Sequence, residues 1–291
     1  MKIRRVFLAV VFLLLAFPAQ AQHNPVVIIQ ELQKLGWQRG PGEGVIGPRA
    51  KIRIPEGYSF LDDKNTRRFL ELMGNPPRDN HYLISPANLD WFAVFSFDAV
   101  GFIKDDEKID AEALLDSLKK GDGSGNEERK RLGMSPIYTD GWHVPPHYDS
   151  GSKRLEWGMR LRDEKGGLHV NYTSRLLGRS GVMSAILVSS PQTLNEDMKA
   201  FNSALAGYDF VAGEKYAEFK SGDKIAEYGL AALVVGGAAA AAAKGGLFKW
   251  LGKFLWIIIG GGALGGWALL KRFFGRKQEA TPGPPPGPGQ Q

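Results

Sequence analysis

The chain has 291 residues, a formal net charge of +6 and no cysteine. Without cysteine it can form neither disulfides nor thiolate metal sites, so a folded domain has to be stabilised by burial alone. The positive charge is uneven, because residues 1–21 carry +3 and residues 225–291 carry +5, which leaves −2 for residues 22–224. That balance argues against a phosphate-binding face, and we expect no nucleic-acid partner.

The first 21 residues have the pattern of a secretory signal. Three basic residues precede the apolar residues 6–17, and Ala19-Gln20-Ala21 has the small-x-small form of a cleavage site. The apolar core is too short to be a good permanent membrane span. We therefore predict a signal peptide over residues 1–21 and a mature chain that begins near Gln22, outside the cytoplasm.

Alternating residues in the middle of the chain predict an antiparallel sheet. Apolar and polar residues alternate along residues 155–162 and 168–176, and residues 182–188 are almost entirely apolar, as a central strand would be. Glycines between these segments supply turns, so residues 153–190 are predicted to form an antiparallel meander.

Helices are predicted around this meander. Leu194, Met198, Phe201 and Leu205 form one stripe, which predicts a helix over residues 191–206 that covers the sheet. The fold class of residues 22–222 is therefore α+β, a soluble, exported domain with an antiparallel sheet covered by helices.

Shorter segments are predicted from local punctuation. Asp62 or Asp63 begins a helix that ends at Met73, and residues 50–54 with residues 58–61 form a hairpin-like pair. Glycine and proline predict a turn over residues 40–47, and glycines at residues 121–125 break a helix that begins at Asp110.

Residues 223–277 have the composition of a membrane anchor. Residues 254–270 carry no charge and cover roughly 26 Å as a helix, close to the bilayer core of about 30 Å. Trp250, Trp256 and Trp267 lie at or near the ends of this segment, where indole favours the interface. We predict helices over residues 228–243 and 250–270 in a Gly/Ala-rich C-terminal segment. Either residues 250–270 form one transmembrane helix and residues 228–243 a soluble one, or both helices cross the membrane as a helical hairpin. The Pro/Gly-rich residues 278–291 are predicted to be disordered.

Several scattered motifs resemble those of one family. They are Gly74-Asn75-Pro76-Pro77, Gly141-Trp142, Pro146-His147-Tyr148-Asp149, Asn171-Tyr172 with Arg175, Leu177-Gly178-Arg179-Ser180-Gly181-Val182, and Gly213 with Tyr216, Phe219, Asp223, Lys224, Tyr228 and Gly229. Over roughly residues 37–277 the chain resembles uncharacterised bacterial membrane-anchored proteins that contain a domain of unknown function. It departs from their pattern at Glu218, where Asp is expected before the Phe. The resemblance implies a location and an architecture but no activity.

Two groups of residues are candidates for a ligand site. Arg160, Arg175 and Arg179 could line a groove for an anionic ligand on the wet face of the sheet, although solvated arginines are commoner there. His143 and His147, with Asp149 nearby, could form a zinc site on a loop, since the prolines between the histidines exclude a helix. A loop packed on the sheet is the favoured interpretation.

An acidic cluster precedes the helix that begins at Asp110. Asp105, Asp106 and Glu107 lack the ligand spacing of a calcium loop, so capping of the helix explains them better. No cofactor is predicted.

The expected function is that of a non-catalytic binding or interaction module at the bacterial inner membrane, with its domain facing the periplasm. The expected partners are the lipid bilayer and another envelope protein. One alternative is an enzyme of unknown class that acts on an envelope substrate, with His143, His147, Asp149 and the arginines near Arg175 as its site. The other is a membrane-assembly subunit whose Gly-rich helices contact those of a partner.

Overall fold

A computed structural model describes residues 25–73, 75, 77–131 and 135–235. Within these residues the strands are β1 (Gln38–Arg39), β2 (Gly42–Ile46), β3 (Ala50–Ile54), β4 (Tyr58–Leu61), β5 (His81–Pro86), β6 (Phe92–Asp98), β7 (Ile137–Asp149), β8 (Arg154–Asp163), β9 (Leu168–Leu177), β10 (Val182–Val188) and β11 (Tyr208–Phe210). The helices are α1 (Pro25–Gln33), α2 (Asp63–Leu72), α3 (Ala111–Arg131), α4 (Leu194–Leu205) and α5 (Leu230–Val234), with a 3-10 turn at Tyr216–Glu218. The predicted signal peptide and C-terminal tail lie outside the described residues.

The strands form one large and one small antiparallel sheet. The large sheet has eight strands in the order β1-β4-β5-β6-β10-β9-β8-β7, and the small sheet has the order β11-β3-β2. The predicted meander is confirmed, because β9 pairs antiparallel with both β8 and β10. The α+β class with a large antiparallel sheet is confirmed with it.

One face of the large sheet, which we call the α4 face, is covered by α4 and the small sheet. Phe201 of α4 is fully buried, and its ring makes edge-to-face contacts with Trp91 and Tyr172, both at 6.1 Å between centroids. Ile52 of the small sheet packs into the same cluster. The predicted covering helix is therefore confirmed, and its stripe is the part of α4 that enters the core.

The other face, which we call the α2 face, carries two separate apolar clusters. At one end α1 and α2 pack over Leu61, Leu83 and Val94. At the other end α3 and α5 pack over Leu155 and Trp157. The sheet surface between the two clusters is polar, and this division positions the site described below.

Helix α5 belongs to the folded domain. Leu230, Leu233 and Val234 are buried in the same cluster as Leu155 and Trp157, so the packed core extends beyond the predicted boundary at residue 222. The first residues of the predicted membrane helix 228–243 therefore contact the sheet. In the described part of the chain, no helix combines the length and the apolar character that crossing a membrane requires. Residues 236–243 and 250–270 lie outside that part.

Several local predictions are wrong. Strand β3 pairs with β2 and β11 rather than with β4, so residues 40–47 contain a strand and the predicted hairpin is absent. Strands β3 and β4 belong to different sheets, because the Ile side chains of β3 pack into the core on the α4 face of the large sheet, of which β4 is part. The segment from His143 to His147, predicted to be a loop, lies within the bulged strand β7.

Helix α3 runs without a break through the glycines at residues 121–125. Side chains of the helix hold it against β7: Thr139 N donates to Asp122 Oδ2 at 2.7 Å, and Asn126 Nδ2 donates to the carbonyl of Ile137 at 2.9 Å. These bonds to another element stabilise a helix that its own glycines would weaken.

Candidate functional site

Four polar side chains form a row across the α2 face. Arg175 on β9 lies directly opposite Ser184 on β10, Ser184 lies opposite Ser96 on β6, and Ser96 lies opposite His81 on β5. Directly opposed residues share a face of the sheet, and neighbouring strands are about 4.8 Å apart, so the row extends over roughly 14 Å. We call these four residues the central polar row.

Three members of the central polar row carry a buried polar atom that has no hydrogen-bond partner among the described residues. They are Arg175 Nε, Ser184 Oγ and His81 Nε2, and the residues are only 8%, 2% and 8% exposed. Buried polar groups in proteins are nearly always paired with protein atoms, ordered water or a ligand. Three such atoms in one row mark a place where ordered water or a ligand would complete the hydrogen bonding. Ser96 is only partly buried, which opens the row to solvent at its middle.

Arg175 is held in place by an ion pair. Its Nη1 donates to Asp98 Oδ2 at 3.0 Å, and the side chains of Arg175 and Asp98 are 9% and 28% exposed. Asp98 lies opposite Val182 at the end of β6, two residue pairs beyond the row and therefore on the same face. The carboxylate fixes the guanidinium through Nη1, and the Nε–H has no hydrogen-bond partner among the described residues.

His81 presents a lone pair at the other end of the row. Its Nδ1 lies 2.8 Å from the carbonyl oxygen of Asp79, and because a carbonyl can only accept, Nδ1 carries the proton. Burial lowers the pKa of His81 and the charge of Arg78 lowers it further, whereas the hydrogen bond to Asp79 acts in the opposite direction. The ring is therefore neutral near pH 7, and Nε2 is a hydrogen-bond acceptor.

The central polar row thus offers donors at one end and an acceptor at the other. The Nε–H of Arg175 and the hydroxyl of Ser184 suit an anionic oxygen, and His81 Nε2 suits a hydroxyl or amine of the same molecule. The arrangement can bind and orient a small anion that carries a donor group.

Only Arg175 of the three predicted groove arginines lies in this row. Arg160 lies opposite Val170, on the α4 face, and its Nε donates to Asp140 Oδ2 at 2.9 Å. Arg179 is in the turn between β9 and β10 and bonds to Asp223. The structure therefore does not bring the three arginines together.

The predicted histidine site is also divided from Arg175. His143 Nε2 lies 3.2 Å from Asn195 Oδ1 of α4, and His147 Nε2 lies 3.9 Å from Glu156 Oε2, which puts both on the α4 face. Asp149 accepts from Gly151 N and Ser152 Oγ in the next turn. Across the described ranges, no three His, Asp or Glu side chains are grouped so that they could hold a metal ion.

The carboxylates of the acidic cluster before α3 accept hydrogen bonds from other residues of the domain. Asp110 Oδ1 accepts from Ala113 N at 3.0 Å, as predicted for a helix cap. Asp105 accepts from Tyr148 and Lys153, and Glu107 accepts from the backbone N–H of Ala231 in α5. These carboxylates connect segments of the domain to one another.

Sequence reasoning missed three of the four members of the central polar row. Ser184 left a weak signal, since it is a hydroxyl residue inside the otherwise apolar β10. Nothing local distinguishes His81 or Ser96. Their meaning depends on strand order and register, which place residues far apart in the sequence on neighbouring strands.

A family model described as "Protein of unknown function (DUF2167)" matches residues 38–265. No functionally curated protein is similar enough to this chain to count as a relative. Among solved structures, the chain is similar to the solution structure of cyanobacterial PsbP (CyanoP) from Synechocystis sp. PCC 6803, with 11% identity over 60% of this chain and 92% of that chain. The TM-score of that pair is 0.34, at which the likeness supports no conclusion about fold or function.

Proposed function

Because the chain belongs to the DUF2167 family, a family of unknown function, we propose a function from its own residues: a non-catalytic binding module that takes a small anionic ligand on the central polar row. The single observation that supports this proposal is the presence of three buried, unpaired polar atoms in one row. Leaving such atoms unpaired costs free energy of about 1–3 kcal/mol each, and a bound ligand would recover part of it.

Arg175 supplies the positive charge that an anionic group would bind. Its guanidinium pairs with Asp98 through Nη1, and the neutral ring of His81 adds no charge of either sign. A small hydroxy acid meets these requirements, because its carboxylate would bind Arg175 and Ser184 while its hydroxyl would donate to His81. We therefore propose hydroxy acids as the ligand class.

Thermal unfolding of the purified full chain tests the ligand class with matched pairs of compounds. Glycerate and gluconate are compared with the neutral polyols glycerol and sorbitol at equal concentration. At a concentration of 100 Kd, a ligand that binds only the folded state stabilises it by about 2.7 kcal/mol. We expect the acids to raise the melting temperature and the polyols to leave it unchanged. Equal effects of acids and polyols would contradict an anion site.

Variants locate the binding. Ser184→Ala removes one unpaired hydroxyl without adding bulk, and should retain the fold while it weakens the response to the acids. Arg175→Gln should abolish that response. Arg160→Gln is the matched control, because Arg160 lies on the α4 face, and it should respond like the unchanged chain. A full response in Ser184→Ala and Arg175→Gln would place the ligand elsewhere.

The proposed location is the bacterial inner membrane, with the folded domain in the periplasm. Its support is the secretory pattern of residues 1–21 and the uncharged residues 254–270. An embedded helix resists both high salt and alkaline carbonate, whereas a surface charge contact is screened by salt. We expect the full chain to stay in the membrane pellet after both treatments. Release by salt alone would refute the anchor, and an intact Met1 terminus on the purified protein would refute signal cleavage.

A further inference from the structure

A solvent-accessible cavity lies at the β1 edge of the large sheet. It has a volume of about 490 Å³, is open to solvent, and lies between α1, the loop after β5, and strands β1, β4 and β5. Cavities that bind small molecules typically measure about 300–1,000 Å³. None of its lining residues belongs to the central polar row.

The floor of this cavity is a second polar row. Arg39 on β1 lies directly opposite Ser59 on β4, and Ser59 lies opposite Ser85 on β5. Two strand spacings separate Arg39 from Ser85, or about 10 Å. Ser59 is 6% exposed and Ser85 is fully buried, and Ser85 Oγ has no hydrogen-bond partner among the described residues. Arg39 is exposed and has no ion-pair partner within the described ranges.

The walls of the cavity are apolar and fixed by their own contacts. Leu32 and Leu89 are 1% and 5% exposed. Trp37 donates from Nε1 to the carbonyl of Leu32 at 2.8 Å, and its ring packs edge-to-face on Phe69 at 6.0 Å between centroids. Trp37 is only partly buried, so an apolar body placed against its ring would bury surface without first reorganising these side chains.

We infer that this cavity binds a small aromatic acid that carries a hydroxyl group at the end opposite its carboxylate. The carboxylate would pair with Arg39, which is the charged group of the floor, and the ring would lie among Leu32, Trp37 and Leu89. The hydroxyl would exchange a hydrogen bond with Ser85, whose Oγ can both donate and accept. A phenol with a short carboxylate side chain has about the length that separates the two ends of the floor.

Calorimetric titration of the purified full chain tests this inference with three related probes. The first is 4-hydroxyphenylacetate, the second is phenylacetate, which lacks the hydroxyl, and the third is tyrosol, which lacks the carboxylate. One net hydrogen bond contributes about 0.5–1.5 kcal/mol, which is roughly a 2-fold to 10-fold change in Kd. We expect 4-hydroxyphenylacetate to bind tightest and each of the other two probes to bind more weakly by about that factor. Failure of the first probe to bind saturably would overturn the inference.

Two variants assign the ends of the ligand. Ser85→Ala should bind 4-hydroxyphenylacetate and phenylacetate equally, and Arg39→Gln should bind 4-hydroxyphenylacetate no better than tyrosol. Ser150→Ala and Arg162→Gln, at exposed positions outside the cavity, are the matched controls and should preserve the order of the three probes. Because Ser85→Ala removes an unpaired buried hydroxyl, its melting temperature should be no lower than that of the unchanged chain. An unchanged preference for the hydroxyl in a folded Ser85→Ala would overturn the assignment.

The experiment also separates this inference from the proposed function. Arg175→Gln should bind 4-hydroxyphenylacetate normally, because Arg175 does not line the cavity. Loss of aromatic-acid binding in that variant would show that a single site was being measured, and would overturn the assignment of a second one.

Discussion

Arg179 donates two hydrogen bonds to the carboxylate of Asp223, from Nε and from Nη2, each at 2.7 Å. The pair joins the turn between β9 and β10 to residues 213–226, which lead into α5. Two further contacts secure the same segment: Arg49 pairs with Glu214 at 2.7 Å, and Tyr216 Oη donates to the carbonyl of Ile103 at 2.8 Å. The chain is therefore fixed to the folded domain at the start of the predicted membrane anchor, residues 223–277.

The Arg179–Asp223 pair predicts an acid-dependent loss of stability. Hydrogen bonds from Arg179, with one from the backbone of Lys220, lower the pKa of Asp223 from 3.8 to about 2. Since the folded-state pKa is the lower one, this contribution is present above the unfolded value and is lost as the pH falls through the folded value. Asp223→Asn should therefore lower the melting temperature at neutral pH, and the difference from the unchanged chain should shrink below about pH 4 and vanish as the pH falls through about 2.

Glu164→Gln is the control for that experiment, because Glu164 is exposed. Its melting temperature should follow that of the unchanged chain at each pH. A deficit in Asp223→Asn that persists at the lowest pH would show that the carboxylate charge is not the cause.

The burial of α5 predicts a large loss of stability when a residue within the predicted anchor is truncated. Leu230 is fully buried, and Leu230→Ala should lower the free energy of unfolding by about 2–5 kcal/mol. Ile225, which is 46% exposed, offers the control Ile225→Ala, for which the loss should stay below about 1 kcal/mol. Urea unfolding measures both variants. Similar losses in the two would mean that α5 does not pack on the sheet.

The burial of Phe201 allows the contribution of α4 to the stability of the domain to be predicted. Its ring is fully buried between Trp91 and Tyr172, so Phe201→Ala should cost about 3–5 kcal/mol. Lys199→Ala changes an exposed position of the same helix and should cost less than about 0.5 kcal/mol. An unchanged unfolding midpoint for Phe201→Ala would contradict the packing of α4.

His81 predicts a second pH effect, in a different range. Burial and Arg78 lower the pKa of His81 below its ordinary 6.5, against Asp79, Asp63 and Asp98, which favour the charged form. As the pH falls below 6.5 the unfolded chain takes up this proton first, so stability decreases. His81→Asn keeps a side-chain donor for the Asp79 carbonyl but cannot titrate, and its stability should fall less between about pH 7.5 and about pH 5.5. An equal fall in both proteins would exclude His81 as the source.

Elements defined by local pattern could be predicted from the sequence. The period-2 alternation of β8 and β9, the apolar run of β10 and the stripe of α4 all depend on which side chains enter the core. Asp62 is a similar case, since its side chain accepts from Asn65 N at 2.9 Å at the start of α2. Each of these signals is contained in a short segment.

Features that depend on distant partners could not be predicted. Nothing in residues 50–54 shows that this strand, β3, pairs with β11, which lies about 150 residues later in the chain. The continuity of α3 depends on bonds from Asp122 and Asn126 to β7, which local propensity does not contain. The central polar row is the extreme case, because its four residues acquire a common neighbourhood only through the register of four strands.

Strand β7, with 13 residues, forms one edge of the large sheet, and an open edge of that length would be a template for strand addition by another copy. Two features reduce the number of backbone groups that this edge offers to another strand. The side chain of Asn126 in α3 bonds both the N–H and the carbonyl of Ile137. Farther along, register shifts occur around Pro145 and Pro146, and proline has no N–H to offer. The fold thereby carries its own protection against edge-to-edge aggregation at the point where it would otherwise be most vulnerable.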